Sequence, residues 1–257
     1  MFRILSFVKY FFKAKTAHGV HSPFVFHLIQ HILKNNQSFY AFENIESIRA
    51  KLLLSQIEIE VTDFGAGSKK NKKHKRKISD IARYSAKQPK YGQLLFKIVK
   101  EYKCKNILEL GTSLGISTMY MASVSSQNNL YTIEGCPNIS RIAEINFAKM
   151  NLQNIRLITG NFDDVLPSVL KKNKFDLIFI DGNHRGKFLL AYFNMCIPYL
   201  QENAIFIIDD INWSKDMNQA WKEIISKNEV TLSIDLFEVG LCFTNKAFSK
   251  EHFVLRY

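Results

Sequence analysis

From Asn106 onward, apolar runs of four to six residues alternate with longer segments whose apolar positions recur at helical spacing. Asn106–Leu110, Leu130–Ile133, Ile155–Thr159, Phe175–Ile180 and Ala204–Ile208 read as strands. Between them the pattern predicts helices from the turn at Gly111–Gly115 to about Ser125, over Pro137–Met150, over about Asp163–Lys172, and on to about Leu200. Phe175–Ile180 and Ala204–Ile208 are almost wholly apolar, as strands buried on both faces should be. This alternation predicts a parallel sheet with crossover helices. A helix over Met217–Lys227 leads to Val230–Leu236 and Gly240–Thr244, too close in sequence for a crossover and so expected to pair antiparallel. The expected fold class is α/β, a doubly wound Rossmann-like sheet of seven strands, mostly parallel with the last antiparallel. Glu251–Tyr257 fits neither pattern cleanly.

Upstream, the pattern changes. Residues 1 to about 58 are mostly helical in period, broken by turn signals at His18–Pro23 and Asn35–Gln37. A helix over Met1–Lys15 would carry Phe2, Leu5, Phe7, Val8, Phe11 and Phe12, apolar around most of its axis. It is expected to dock on the core; a helix lying on a membrane surface is the alternative. Lys9 and Lys13 interrupt it and no small-residue cleavage site follows, which argues against a signal peptide. No apolar run approaches the ~20 residues that span a bilayer. A short β-like run at Ile59 and Val61 precedes Asp63-Phe-Gly-Ala-Gly-Ser68, a lysine-rich block and a short helix from about Ile78. The expected organisation is a largely helical extension, residues 1–90, with a basic loop at 69–77, followed by a cofactor-binding domain over 91–257.

Charge and cysteine content narrow the function classes. Of the net charge of +12, seven positive charges fall between Lys69 and Lys77, leaving about +5 for the rest of the chain. Such a block repels itself and is expected to be a solvated loop; no aromatic residues interleave it as they would on a nucleic-acid stacking surface. Nucleic acid is therefore not the expected partner. Cys104, Cys136, Cys196 and Cys242 are scattered, without a Cys-x-x-Cys pair, and read as buried thiols in a reducing cytoplasm. His18 and His21 have a spacing that a metal can use on a helix, but Gly19 and Pro23 favour a structural turn.

The candidate chemistry sits at strand ends, where open α/β sheets bind ligands. Glu109-Leu-Gly-Thr-Ser-Leu-Gly-Ile-Ser117 places Gly111 and Gly115 after the first strand, letting the backbone turn tightly and a ligand approach main-chain N–H groups. The spacing is Gly-x-x-x-Gly, neither the Gly-x-Gly-x-x-Gly of pyrophosphate binders nor a P-loop. Glu134 ends the second strand, where a carboxylate can accept hydrogen bonds from both hydroxyls of a ribose.

With these motifs the chain resembles a class I S-adenosylmethionine-dependent methyltransferase, nearest the catechol and caffeoyl-CoA O-methyltransferase group. The resemblance runs from Gly92-Gln-Leu-Leu95 through Ile107–Thr118, Glu134, Gly160-Asn-Phe-Asp163 and Phe179-Ile-Asp-Gly-Asn-His184 to Ile207-Ile-Asp-Asp-Ile-Asn-Trp213. It implies that Glu109, Gly111 and Ser117 line the methionine end of the cofactor, with Thr112, Ser113 and Gly115 also in the cofactor-binding set. Glu134 would take the ribose and Asn161 with Asp163 the adenine, with Asp181 beside them. From the group's metal-dependent members it implies Mg²⁺ or another divalent cation at Asp181, Asp209 and Asp210, a set of oxygen ligands suited to a hard ion, although related methyltransferases without metal also carry Asp-Asp after the fifth strand. Two positions depart from the group: Asp210 stands where its metal-dependent members have Asn, and His184 where a catalytic lysine is expected. Asp181 and His184 are the catalytic candidates, His184 because an imidazole titrates near neutrality. The acceptor implied is a small-molecule hydroxyl; a homodimer is one assembly considered, and the sequence does not fix the oligomeric state. The competing readings are a methyltransferase acting on RNA or protein, and a non-catalytic cofactor-binding or interaction protein. Asp181-Gly-Asn-His184 differs from the Asn/Asp-Pro-Pro-Tyr of base N-methyltransferases.

Overall fold

The computed structural model describes residues 1–62 and 75–257. The Asp63–Ser68 turn and most of the basic loop fall outside the described residues. The described chain forms two compact units, Met1–Asn35 with Leu170–Tyr257, and Asn36–Val169.

The first unit opens with α1 (Phe2–Lys13), after which Lys15 bridges in parallel to Leu255. The expected turn is present: Ala17–Gly19 is a single 3₁₀ turn, and the Ser22 hydroxyl accepts from Val25 N at 3.4 Å to start α2 (Pro23–Leu28). Proline at the first helical position suits this start, since its missing N–H would have no helical partner.

The second unit begins with α3 (Tyr40–Leu54), β1 (Glu58–Glu60), β2 (Lys75–Lys77), α4 (Ile78–Tyr84) and α5 (Pro89–Glu101). The end of the expected basic loop is thus a strand. Glu58 lies opposite Lys77 and Glu60 opposite Lys75, and these opposite charges offset the self-repulsion from which a loop was expected. The sheet portion of this unit follows as β3 (Asn106–Leu110), α6 (Ile116–Ala122), β4 (Asn129–Glu134), α7 (Pro137–Lys149) and β5 (Ile155–Thr159), with α8 (Phe162–Lys172) next in the chain. β3 and β4, and β4 and β5, pair in parallel. α3 packs through Phe42 and Ile45 into a core with Phe96, Tyr120 and Phe147, and the Tyr120 hydroxyl donates to Glu46 at 2.9 Å.

The remainder of the first unit contains β6 (Phe175–Ile180), α9 (Gly186–Cys196), β7 (Leu200–Asp209), α10 (Lys215–Ser226), β8 (Leu232–Asp235), β9 (Val239–Phe243) and β10 (Glu251–Val254), with strand order β10-β8-β9-β7-β6. β6 and β7 are parallel, β9 is antiparallel to β7 and β8, and the close-spaced final hairpin is as expected. β10 adds an eighth sheet strand where seven were expected, parallel to β8. Its four residues form a partly exposed edge, too short and too polar to produce an alternating signal. All four cysteines are buried, and burial pushes the Cys196 thiol up to about 12, so these are packing residues.

Candidate functional site

The predicted residues fall into two groups, one within each unit. In the Asn36–Val169 unit, the chain leaves β3 through the glycine-rich turn. Gly111 N and Thr112 N both donate to Ile133 O, at 3.0 and 3.2 Å, which ties the turn to the end of β4. Gly115 has φ 81°, and a Cβ there would lie 2.4 Å from the Phe147 ring, so glycine is required both by conformation and by space. Ser113 adopts φ 48° without that freedom, and the buried Asn146 amide holds the turn by donating to Leu114 O at 3.0 Å.

Glu109 does not present its carboxylate to solvent. It is 0% exposed and accepts from Ser117 Oγ at 2.5 Å, Thr132 Oγ1 at 2.7 Å and Thr118 Oγ1. Burial raises its pKa to about 7 against the pull of these three hydroxyls, with a smaller upward contribution from Glu134. Thr112 Oγ1 lies 2.6 Å from Thr132 Oγ1 and extends the cluster. Ser117 and Thr112 therefore spend their hydroxyls inside the protein.

Glu134 is the carboxylate at the surface of this group. It accepts from Ser113 N at 2.8 Å and Cys136 N at 2.9 Å, so amides from the turn after β3 and the turn after β4 orient it from two sides. Gly160 N donates to Glu134 O at 2.9 Å, bringing the loop after β5 to the same edge. Asn161 O accepts from Asp164 N and Val165 N, and exposed Asp163 lies in the first turn of α8, where a carboxylate complements the helix dipole. Glu109, the Gly111–Ser117 turn and Glu134 are thus joined by hydrogen bonds. The structure adds Thr118, Thr132 and Asn146 to the predicted set. Thr132 is directly opposite Glu109 in the β3–β4 register, and a hydroxyl in an otherwise apolar strand was its sequence signal.

The other group lies in the unit containing β6 and β7. The half-buried His184 imidazole stands between two carboxylates, Nδ1 3.6 Å from Asp210 Oδ2 and Nε2 4.0 Å from Asp181 Oδ1. Asn183 and Asp210 both adopt left-handed backbone, with φ 51° and 54°. Sparsely populated conformations of this kind concentrate where a loop has to aim a side chain. His184 lies two residues before α9, whose N-cap is Arg185. Gly186 N, at the start of α9, donates to Asp216 Oδ2 at 2.5 Å, linking this loop to α10.

The three carboxylates expected at a divalent cation are placed differently from one another. Among the described residues, no group of three or more His, Cys, Asp and Glu side chains is placed to hold a metal ion. Asp209 is 3% exposed within β7, paired opposite Val239, whereas Asp210 leaves the strand through its left-handed turn and faces His184. The oxygen chemistry of these carboxylates suits a hard cation.

Residues 108–211 match a family model described as a methyltransferase domain. The catechol O-methyltransferase of Niastella koreensis is 30% identical over 127 residues, 48% of this chain and 57% of that protein. The catechol O-methyltransferase of Mycobacterium tuberculosis is 26% identical over 122 residues, 47% of this chain and 54% of that protein. The chain thus spans a little over half the length of these curated relatives. An O-methyltransferase from Bacillus cereus, solved in complex with SAH, has a TM-score of 0.58 at 19% identity, over 86% of this chain and 96% of that one. The SAH-bound methyltransferase PaMTH1 of Podospora anserina has a TM-score of 0.61 at 16% identity, over 87% and 96%. The fold is the Rossmann-like α/β fold of these enzymes, and the similarity to a methyltransferase domain runs from Leu108 to Ile211.

Proposed function

We propose that the chain is an S-adenosylmethionine-dependent methyltransferase that methylates a hydroxyl oxygen of a small molecule. The observation that carries this reading is Glu134, a strand-end carboxylate aimed by two backbone amides beside a glycine-rich turn. A carboxylate has about four acceptor positions, so one fixed by two amides is suited to the paired hydroxyls of a ribose. The left-handed turn at Gly111–Gly115 supplies close backbone approach for the rest of the nucleoside and the amino-acid end. Glu109 acts behind that surface, fixing the turn and the first residues of α6 through its three hydroxyl partners. Asn161 and Asp163, on the loop tied to Glu134, are assigned to the adenine.

Bound S-adenosylmethionine supplies an electrophilic methyl group on a positive sulfur that departs as a neutral thioether. The chain's own part is to hold an acceptor oxygen in line at about 3 Å and to remove its proton. His184 is the proposed base, with Asp210 near one ring nitrogen and Asp181 near the other at distances that leave room for an acceptor hydroxyl.

Calorimetric titration with S-adenosylmethionine and S-adenosylhomocysteine tests the cofactor assignment, with Glu134→Gln expected to weaken both. Formation of S-adenosylhomocysteine across a panel of catechols and other small hydroxyl compounds tests the reaction, run with Mg²⁺ and with chelator. Absence of binding heat rejects the cofactor assignment. Heat without turnover on any acceptor rejects the enzyme reading.

A further inference from the structure

α1 has two apolar faces, and only one of them is used. On the inner face, the Tyr10 hydroxyl donates to Leu255 O at 2.6 Å, the Phe7 ring meets Phe237 edge-on at 5.0 Å, and Arg3 pairs with Glu238 at 2.5 Å. Tyr10, Ala14 and Phe237 are buried there. These contacts fix the helix against its own unit. At roughly 100° per residue, Phe11, Ile4, Val8, Phe12 and Leu5 then fall on a contiguous arc about 120° wide on the outer side. Ile4 is 70% exposed and Phe12 83%, with Leu5, Val8 and Phe11 about half exposed. Single exposed apolar residues need no explanation, but a continuous stripe of five does.

Charge identifies what would cover it. Residues 1–42 contain no aspartate or glutamate, yet carry Arg3, Lys9, Lys13, Lys15 and Lys34. Lys9 and Lys13 are exposed along one margin of the stripe, and the Arg256 guanidinium lies 4.9 Å over the Phe11 ring at the other. An apolar strip with cations along both margins matches a lipid surface bearing negative headgroups: the strip enters the acyl boundary while the lysine stems reach outward to phosphates. A protein partner would bring acidic groups to only some of these positions. No helix among the described residues is long and apolar enough to cross a membrane, so the contact is peripheral.

We propose that α1 docks the protein on anionic membrane surfaces through Ile4, Leu5, Val8, Phe11 and Phe12. The test is cosedimentation of the full chain with phosphatidylglycerol/phosphatidylcholine vesicles and with pure phosphatidylcholine vesicles, beside a solution mass measurement. Binding is expected to the anionic vesicles only and to weaken with added salt. Ile4→Asp with Phe12→Asp should reduce it at least tenfold without moving the thermal melt, since both side chains point outward. The milder pair Ile4→Ser with Phe12→Ser serves if the aspartates disturb folding. Lys9→Gln with Lys13→Gln should lower binding severalfold. No vesicle binding by folded protein overturns the proposal. So does binding that survives the α1 substitutions, which would assign it to the lysines between Lys69 and Lys77. A dimer split by the same substitutions, without vesicle binding, would give the face to a second copy of the chain and also overturn it.

Discussion

Two carboxylate groups at strand ends, Glu109 in one unit and Asp181 with Asp210 in the other, are built in opposite ways. Glu109 is sealed in and met by three hydroxyls at hydrogen-bond distance. Asp181 and Asp210 are partly open and stand 4.0 and 3.6 Å from one imidazole, beyond direct hydrogen bonds. A buried, saturated group can shape its surroundings but cannot itself meet a ligand; a partly open, loosely spaced one can still close on it. On the proposed function, the contrast separates a region that prepares a binding surface from one assigned to the chemistry, and substitutions should divide along the same line.

The largest expected effect is on the reacting side. Asp181→Ala or His184→Ala should lower turnover by about 10²–10⁴-fold, the usual range for a lost acid-base group, while cofactor affinity by calorimetry stays within error. Equal loss of binding and turnover would erase the distinction between the two regions. Next is Glu109. Its folded pKa of about 7 exceeds the ordinary carboxylate value, so the folded state binds its proton more tightly than the unfolded state. Stability from this group is therefore full below pH ~4.5 and is lost as pH rises through about 7, amounting to a few kcal/mol. Glu109→Gln should flatten that pH slope in denaturant melts at pH 5, 6, 7 and 8, because the hydroxyls of Ser117, Thr118 and Thr132 can accept as well as donate. A slope identical to wild type would place the pH dependence elsewhere.

Smaller effects sharpen the same comparison. Glu134→Gln should cost about 1.5–3 kcal/mol of cofactor affinity, the value of hydrogen bonds to a charged group, with the melt of the free protein little changed. Ser214→Ala removes the cap that accepts from Met217 N at 3.1 Å and should lower stability by about 1 kcal/mol without altering cofactor affinity.

The parallel strands were legible because a strand buried on both faces writes a continuous apolar run, as Phe175–Ile180 does. The glycine turn was legible for a related reason: Gly115 is the residue that both a left-handed backbone and the Phe147 ring demand. Other features depend on partners distant in sequence. That Glu109 would be sealed required knowing that Thr132 sits opposite it, which is a fact of register. That Asp209 would be buried in its strand while Asp210 turns to His184 depended on the left-handed backbone at Asp210, which is uncommon outside glycine even though aspartate adopts it more readily than most residues. β2 was hidden because a run of like charges reads as loop until Glu58 and Glu60 are placed across from it.

The inner face of α1 depends on Leu255, whose carbonyl receives the Tyr10 hydroxyl and which bridges to Lys15. Because a polypeptide is made from its amino end, this helix leaves the ribosome more than two hundred residues before its seat exists. Throughout that interval both of its greasy sides are bare, and whatever shelters them, a chaperone or a nearby bilayer, meets the helix before the rest of the fold does.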